Sequence, residues 1–344
     1  MIHRLALRFI CALFLSFSIG LIHSQDLHFT LHQMTPLVFN PANTGNFYGS
    51  YRLSGLYRDQ YRSVIGKAAY STPTFSVDLP IIKGFGEKDW VGVGMFFYSD
   101  KSGTIGLTQS SFKASAAYHL ALNKDGSRVL SFAYQTGGTQ REVKNADAYK
   151  FEDQIISGGS TQEMINPDKQ GFLDHVGGLK FTSKFNKTDE WNVGVAVGKI
   201  GQPNWSIAGS SYELEPRIHA QFGLSRLMSD KVRFMPNISY QKILKSPQNT
   251  LVVQGLIDYL YNEKNNTILK GGLGYRSGAG IGDALQVMLG VEYKAVVVMF
   301  GYDVNISRLS TASGGAGGIE LAAQYVGRIY KRPKPDPVIF CPRF

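Results

Sequence analysis

The sequence predicts an all-β protein: a closed transmembrane antiparallel β-barrel of about 14 strands, with a short N-terminal periplasmic or plug segment and a proline-rich C-terminal arm. Three observations predict it. Apolar and polar residues alternate with a period of two over long runs. Short and long links alternate between those runs. Beyond the leader, no apolar stretch is long enough for a membrane-spanning helix.

The clearest runs are 285–293 and 296–306. In the first, Leu285, Val287, Leu289, Val291 and Tyr293 share one face, and Gln286, Met288, Gly290 and Glu292 the other. In the second, Val296, Val298, Phe300, Tyr302, Val304 and Ile306 oppose Ala295, Val297, Gly301, Asp303 and Asn305. Strands of globular proteins run to about 5–6 residues, whereas about 9–11 tilted residues cross a bilayer. An apolar face ending in Tyr, backed by a small and polar face, is a lipid-out, lumen-in pattern.

Composition agrees. A mean hydropathy of −0.11 with 43% hydrophobic residues fits a wall of which half faces water. The 38 Gly suit a crowded wall, and the 18 Tyr suit the bilayer interface. The formal charge is +10, or roughly +8 once the leader's Arg4 and Arg8 are removed. The Lys and Arg are scattered through turns and the lumen face without a basic stripe. This argues against nucleic acid and is compatible with anionic lipid or an acidic partner.

Residues 1–24 read as a secretory signal: Arg4 and Arg8 form the basic region, 9–22 the apolar region, and Ser24 precedes a polar start at Gln25-Asp26. Removing it leaves Cys341 as the one cysteine, so no intrachain disulfide is expected. Residues 25–49 form the periplasmic or plug segment. Phe29, Leu31, Met34, Leu37, Val38 and Phe39 make an apolar patch, broken by Pro36 and by Asn40-Pro41 into a short helix or turn. His28 and His32 stand four apart, but no third ligand is nearby, so no metal is expected.

The barrel is expected over 50–330. Its runs are 50–61, 72–79 (with Pro73 marking an end), 90–99, 109–120, 128–136, 171–184, 191–197, 217–225, 232–242, 250–261, 267–276, 285–293, 296–306 and 317–330. In the first, Tyr51, Leu53, Gly55 and Tyr57 point outward; in the ninth, Arg233, Asn237, Ser239 and Gln241 point inward. The links 123–127, 186–190, 229–231, 262–266 and 294–295 are short and rich in turn residues. The links 137–170, 199–216, 277–283 and 307–315 are mostly longer, as expected for periplasmic turns alternating with extracellular loops. Both termini then fall on the periplasmic side. Residues 331–344 form a tail: Lys331 to Pro337 is polyproline-like and carries an apolar tip. Docking is favoured for it, because spaced prolines lower the entropy of ordering it.

The layout and the two ends carry a resemblance. A leader is followed by an apolar segment ending in Asn40-Pro41-Ala42, with Gly45 close behind. Then comes an Arg/Tyr-rich first run from Tyr51 to Tyr61, and the chain finishes in Cys341-Pro342-Arg343-Phe344. This resembles the PorP/SprF family of the type IX secretion system. The segment before Asn40 departs from the aromatic-rich stretch often found in the family. The resemblance implies a non-enzymatic outer-membrane barrel, integral to that membrane, which works with the secretion and gliding motility apparatus. It implies export or surface anchoring of client proteins such as adhesins, and contacts with periplasmic secretion and gliding components. Asn40, Pro41, Ala42, Cys341, Pro342, Arg343 and Phe344 are the candidate partner-binding residues. The outer loops 137–170 and 199–216 would hold a client.

The residues bear on two other function classes. An outer-membrane channel for small or apolar solutes would use inward Arg233, Glu292, Asp258, Asp303 and His219 to tune passage, unless these pair with one another inside a plugged barrel. An enzyme would need a nucleophile, base and orienting group, and no Gly-x-Ser-x-Gly elbow, His-Glu-x-x-His pair or phosphate-cradling loop is present. No catalytic residue and no cofactor are expected.

Overall fold

The computed structural model describes residues 27–103, 106–143, 158, 169–186, 188–205, 212–278 and 281–329. The leader, the tail after Ile329 and most of the link 137–170 lie outside the described residues. The strands are β1 (Tyr51–Gln60), β2 (Tyr70–Lys83), β3 (Trp90–Ser102), β4 (Leu107–Ala121), β5 (Arg128–Val143), β6 (Lys169–Lys184), β7 (Glu190–Gly198), β8 (Asn204–Trp205), β9 (Tyr212–Glu213), β10 (Arg217–Ser229), β11 (Val232–Ile243), β12 (Asn249–Asn262), β13 (Thr267–Gly278), β14 (Ile281–Tyr293), β15 (Val296–Asn305) and β16 (Ala316–Gly327). All but β8 and β9 form one closed barrel of fourteen antiparallel strands, and those two pair as a small hairpin in the link between β7 and β10. The ring closes where β1 meets β16, from Tyr51↔Gly327 to Gln60↔Gly318. Closure leaves no open strand edge, which is what makes a sheet tolerable in lipid.

Every expected run is a strand of this wall, and several are longer than the alternation indicated. Pro73 does not end its strand: it pairs with Tyr57 on the β1 side, and β2 runs on to Lys83. β5 continues to Val143 through Gly137 and Gly138, whose missing side chains hide the period of two. The link before β6 is therefore 144–168 rather than 137–170. The expected long link 277–283 shrinks to 279–280, because β13 and β14 extend toward each other. The last strand stops at Gly327.

The two faces divide as the alternation requires. Leu285, Val287, Leu289, Val298, Phe300 and Leu321 are exposed on the outside, while Arg52, Ser54, Arg58, Asp303 and Glu320 are buried inside. The links at the end where β1 starts are 84–89, 122–127, 185–189, 230–231, 263–266 and 294–295; the longest links, 144–168 and 199–216, lie at the other end.

Residues 27–46 fill the lumen. They form three single turns, His32–Met34, Pro36–Phe39 and Pro41–Asn43, and the latter two each begin on a proline whose missing N–H the first turn does not need. Leu31 and Leu37 are wholly buried, and with Met34 and Val38 they pack on lumen-side Leu56, Phe96, Met288 and Met299. The segment descends from the long-loop end, where His28 adjoins Arg58, to the short-turn end, where Gly45 meets Asp78. The first and last wall strands begin and end at the short-turn end. Leu27 and His28 lie at the opposite mouth, a placement the strand count alone did not indicate.

Candidate functional site: the plugged lumen

Two sets of wall side chains hold the plug. The upper set centres on Glu320, which is fully buried. Its carboxylate accepts from the backbone N–H groups of Thr30 and Leu31 at 2.8 and 2.7 Å and pairs with the Arg58 guanidinium. Arg58 also bonds Asp303 at 3.0 Å, and Asp303 takes a second guanidinium, Arg276, at 2.8 Å, and the Thr30 hydroxyl. Gln254 Nε2 donates to the Thr30 carbonyl at 2.8 Å and to Gln286 Oε1 at 2.8 Å. Buried charges of both signs thus neutralise one another while their spare acceptors tie down the plug's backbone.

The lower set holds residues 40–45. Asn40 Nδ2 donates to the wall carbonyls of Leu179 and Val195 at 3.1 and 3.4 Å, while its Oδ1 accepts from Ala42 N at 2.9 Å, capping the turn that follows. Gly178 and Gly194 lie directly against this Asn40-Pro41 corner, and a β-carbon on Gly178 would overlap both residues. The Thr44 carbonyl accepts from His119 Nε2 at 2.8 Å, and the Thr44 hydroxyl bonds Ser115. Gly45 N donates to Asp78 at 2.7 Å, and Arg52 clamps the same carboxylate through two bonds of 2.9 and 2.7 Å.

Asn40, Pro41 and Ala42 therefore sit enclosed by the wall, with Asn40 and Ala42 wholly inaccessible. Cys341, Pro342, Arg343 and Phe344 lie outside the described residues. The inward groups weighed as pore determinants are engaged. Asp303 is in the upper set, and Lys270 bridges Asp258 at 2.7 Å and Glu292 at 2.9 Å. Arg233 bonds the Thr188 carbonyl and Ser225, and His219 Nε2 meets Ser239 at 3.0 Å. His28 and His32 are parted: His28 adjoins the Arg58 guanidinium, and His32 packs edge-on against Phe39. Among the described residues no group of three or more His, Cys, Asp or Glu is placed to hold a metal. Sequence reasoning passed over Glu320 and Asp78. Their signal was an acidic residue at an inward position opposite an inward Arg of the first run, which becomes readable once β1 is placed between β2 and β16.

Among the described residues, two cavities of about 290 Å³ or more lie beside the plug. One of about 290 Å³ opens at the long-loop mouth between His28, Tyr61, Gln241, Asp283 and Arg308. The other, about 320 Å³, lies toward the short-turn end between Phe39, Asn46, Lys180, Asn237 and Leu256.

A family model described as "Type IX secretion system membrane protein PorP/SprF" matches residues 22–322. The chain belongs to this family. No curated protein matches. Among solved structures the barrel is similar to the toluene transporter TbuX of Ralstonia pickettii, with 13% identity, a TM-score of 0.52, and 86% of this chain and 93% of that one covered. It is similar also to the toluene transporter TodX of Pseudomonas putida, with 11% identity, a TM-score of 0.53, and 85% and 92% covered. At such identities the likeness is one of fold. Family and fold together make this PorP/SprF protein an integral outer-membrane barrel of the type IX secretion system.

Proposed function

We propose that this PorP/SprF barrel works as a closed, rigid platform in the outer membrane that supports export or surface anchoring of client proteins such as adhesins. The observation that carries the reading is the fastened plug. With residues 27–46 bonded to strands all round the wall, the lumen offers a polypeptide no passage, and we assign the contacts to the links and the tail. The links 144–168 and 199–216 lie at one end and form the client platform. The tail with Cys341, Pro342, Arg343 and Phe344, which follows β16 in the chain, meets periplasmic secretion and gliding components. Asn40, Pro41 and Ala42 serve that contact by bracing the short-turn mouth, and they meet a partner directly only if the plug withdraws.

The test deletes 144–168 and 331–344 separately and measures client display on the cell surface and co-purifying proteins. Loss of display from the first deletion and loss of periplasmic partners from the second support the platform. Unchanged display and an unchanged partner set in both would overturn it. A second reading, a channel for small or apolar solutes, draws on the cavity at each side of the plug and on the toluene transporters that share the fold. Large, stable conductance steps from the intact chain in planar bilayers would favour it.

A further inference from the structure

The seam between β10 and β11 is interrupted near its middle, apart from a register shift at Leu227/Ser229 beside the turn. Cross-strand pairing runs from Arg217↔Ile243 to Gly223↔Asn237 and resumes only at Arg226↔Phe234. Leu224, Ser225, Met235 and Pro236 have no partner across this seam, although on their other sides Ser225 pairs with Glu190 and Pro236 with Gly255. Pro236 is the cause: a proline has no N–H to give to the ladder, and such residues normally sit at sheet edges. Backbone left unpaired at membrane depth is tolerated where it lines a cavity or protein rather than lipid. The 320 Å³ cavity lies directly behind, and its lining includes residues 221–225 and 235–238 of both strands.

The contents of that cavity are specific. On the lipid side of the break stand the exposed Phe222 and Ile238, and Phe39 and Leu256 continue the apolar lining inward. Farther in, Lys180 donates to Asn43 Oδ1 at 2.8 Å and forms no ion pair among the described residues, while neighbouring Arg52 is matched by Asp78. The side-chain amides of Gln33 and Asn46 line the same space with groups that no protein atom satisfies. Apolar surface leads from the membrane side to a cation that no described carboxylate contacts, Glu190 acting on it only from a distance, and to spare amides.

We infer that this cavity is a binding site for a single-chain amphiphile with a carboxylate head, admitted sideways from the membrane at the β10–β11 break, its head on Lys180 and its chain along Phe39 and Leu256. The site is independent of the secretion reading, since it needs neither client nor open lumen.

Radiolabelled laurate, dodecanol and dodecyltrimethylammonium are titrated onto the full chain in nanodiscs, with empty nanodiscs subtracted. Saturable laurate binding is expected, with dodecyltrimethylammonium at least tenfold weaker. Lys180→Gln should weaken laurate by about tenfold (about 1.4 kcal/mol) and leave dodecanol within about twofold. In a Cys341→Ser background, Ser225→Cys with Met235→Cys places two thiols opposite each other, in the register that holds on both sides of the gap, and leaves Pro236 in place. Oxidation should block uptake, and reduction should restore it in the same sample, which excludes misfolding as the cause. Laurate binding that ignores both Lys180→Gln and the cross-link, or that no more than equals dodecyltrimethylammonium, would overturn the assignment.

Discussion

At the residue scale, Asn40 shows how one side chain does three tasks that no other residue type does together. Its amide N–H₂ reaches two wall carbonyls, its oxygen caps the next turn, and its small volume fits the corner left by Gly178 and Gly194. Asn40→Ala strands those groups, and we expect a loss of about 1–3 kcal/mol. The folded band in unheated electrophoresis should disappear at a lower temperature, whereas Asn265→Ala in an exposed turn should leave it in place. Carboxylates of the short turns add a pH dependence. Asp89 is held below the usual carboxylate range by the Tyr118 hydroxyl and the Ala121 N–H, and Asp189 by the Leu227 N–H and the side chains of Asn186 and Thr188. A pKa depressed by folding means that these bonds stabilise the turns fully above the unfolded value of about 3.9 and are lost as pH falls below it. Amide exchange at Ala121 and Leu227, corrected for its intrinsic rate, should therefore accelerate below about pH 4. Asp189→Asn should abolish that response at Leu227; an unchanged pH profile there would reject the assignment.

At the element scale, strands and plug differ in how much the sequence reveals. A wall strand repeats one decision, lipid or lumen, at every second position, so Val287, Val298 and Phe300 announce their side without knowledge of any neighbour. The plug has no such period. Leu31 and Leu37 are as buried as any residue in the chain, yet their partners Met288, Met299 and Phe96 come from distant strands, and only closure brings them together. The sequence therefore shows an apolar segment broken by prolines but not its path down the lumen. Inward Asp258, Glu292 and Asp303 were legible one by one, and their pairing was not: Lys270 finds Asp258 and Glu292 through registers that alternation leaves free. If the plug is what closes the lumen, removing 27–46 while keeping the leader should convert a silent barrel into one with stable conductance steps. A deleted form that inserts and folds yet remains silent would show that the wall's own side chains seal it.

At the scale of the whole molecule, ring closure and plug seating draw on the same side chains. Arg58 and Glu320 are directly opposite each other in the β1–β16 register, the seam that joins the two ends of the wall. The same Glu320 carries the backbone of Thr30 and Leu31, and the same Arg58 reaches Asp303 on β15. Before β16 arrives, the plug lacks its upper anchor, and β1 has a guanidinium facing an unpaired edge. Glu320→Ala removes the shared carboxylate and leaves Arg58 over-charged in a buried site, a loss of about 3–5 kcal/mol. Because both structures depend on it, the variant should do more than melt earlier: it should slow the appearance of the compact, heat-modifiable form during refolding into lipid and expose 27–46 to added protease at the same time. Glu320→Gln, which keeps an acceptor for one of the Thr30 and Leu31 N–H groups and turns a donor toward the other, should fall between the two. A variant that closes at the normal rate with only the plug released would separate the two processes and show that the wall shuts without its contents.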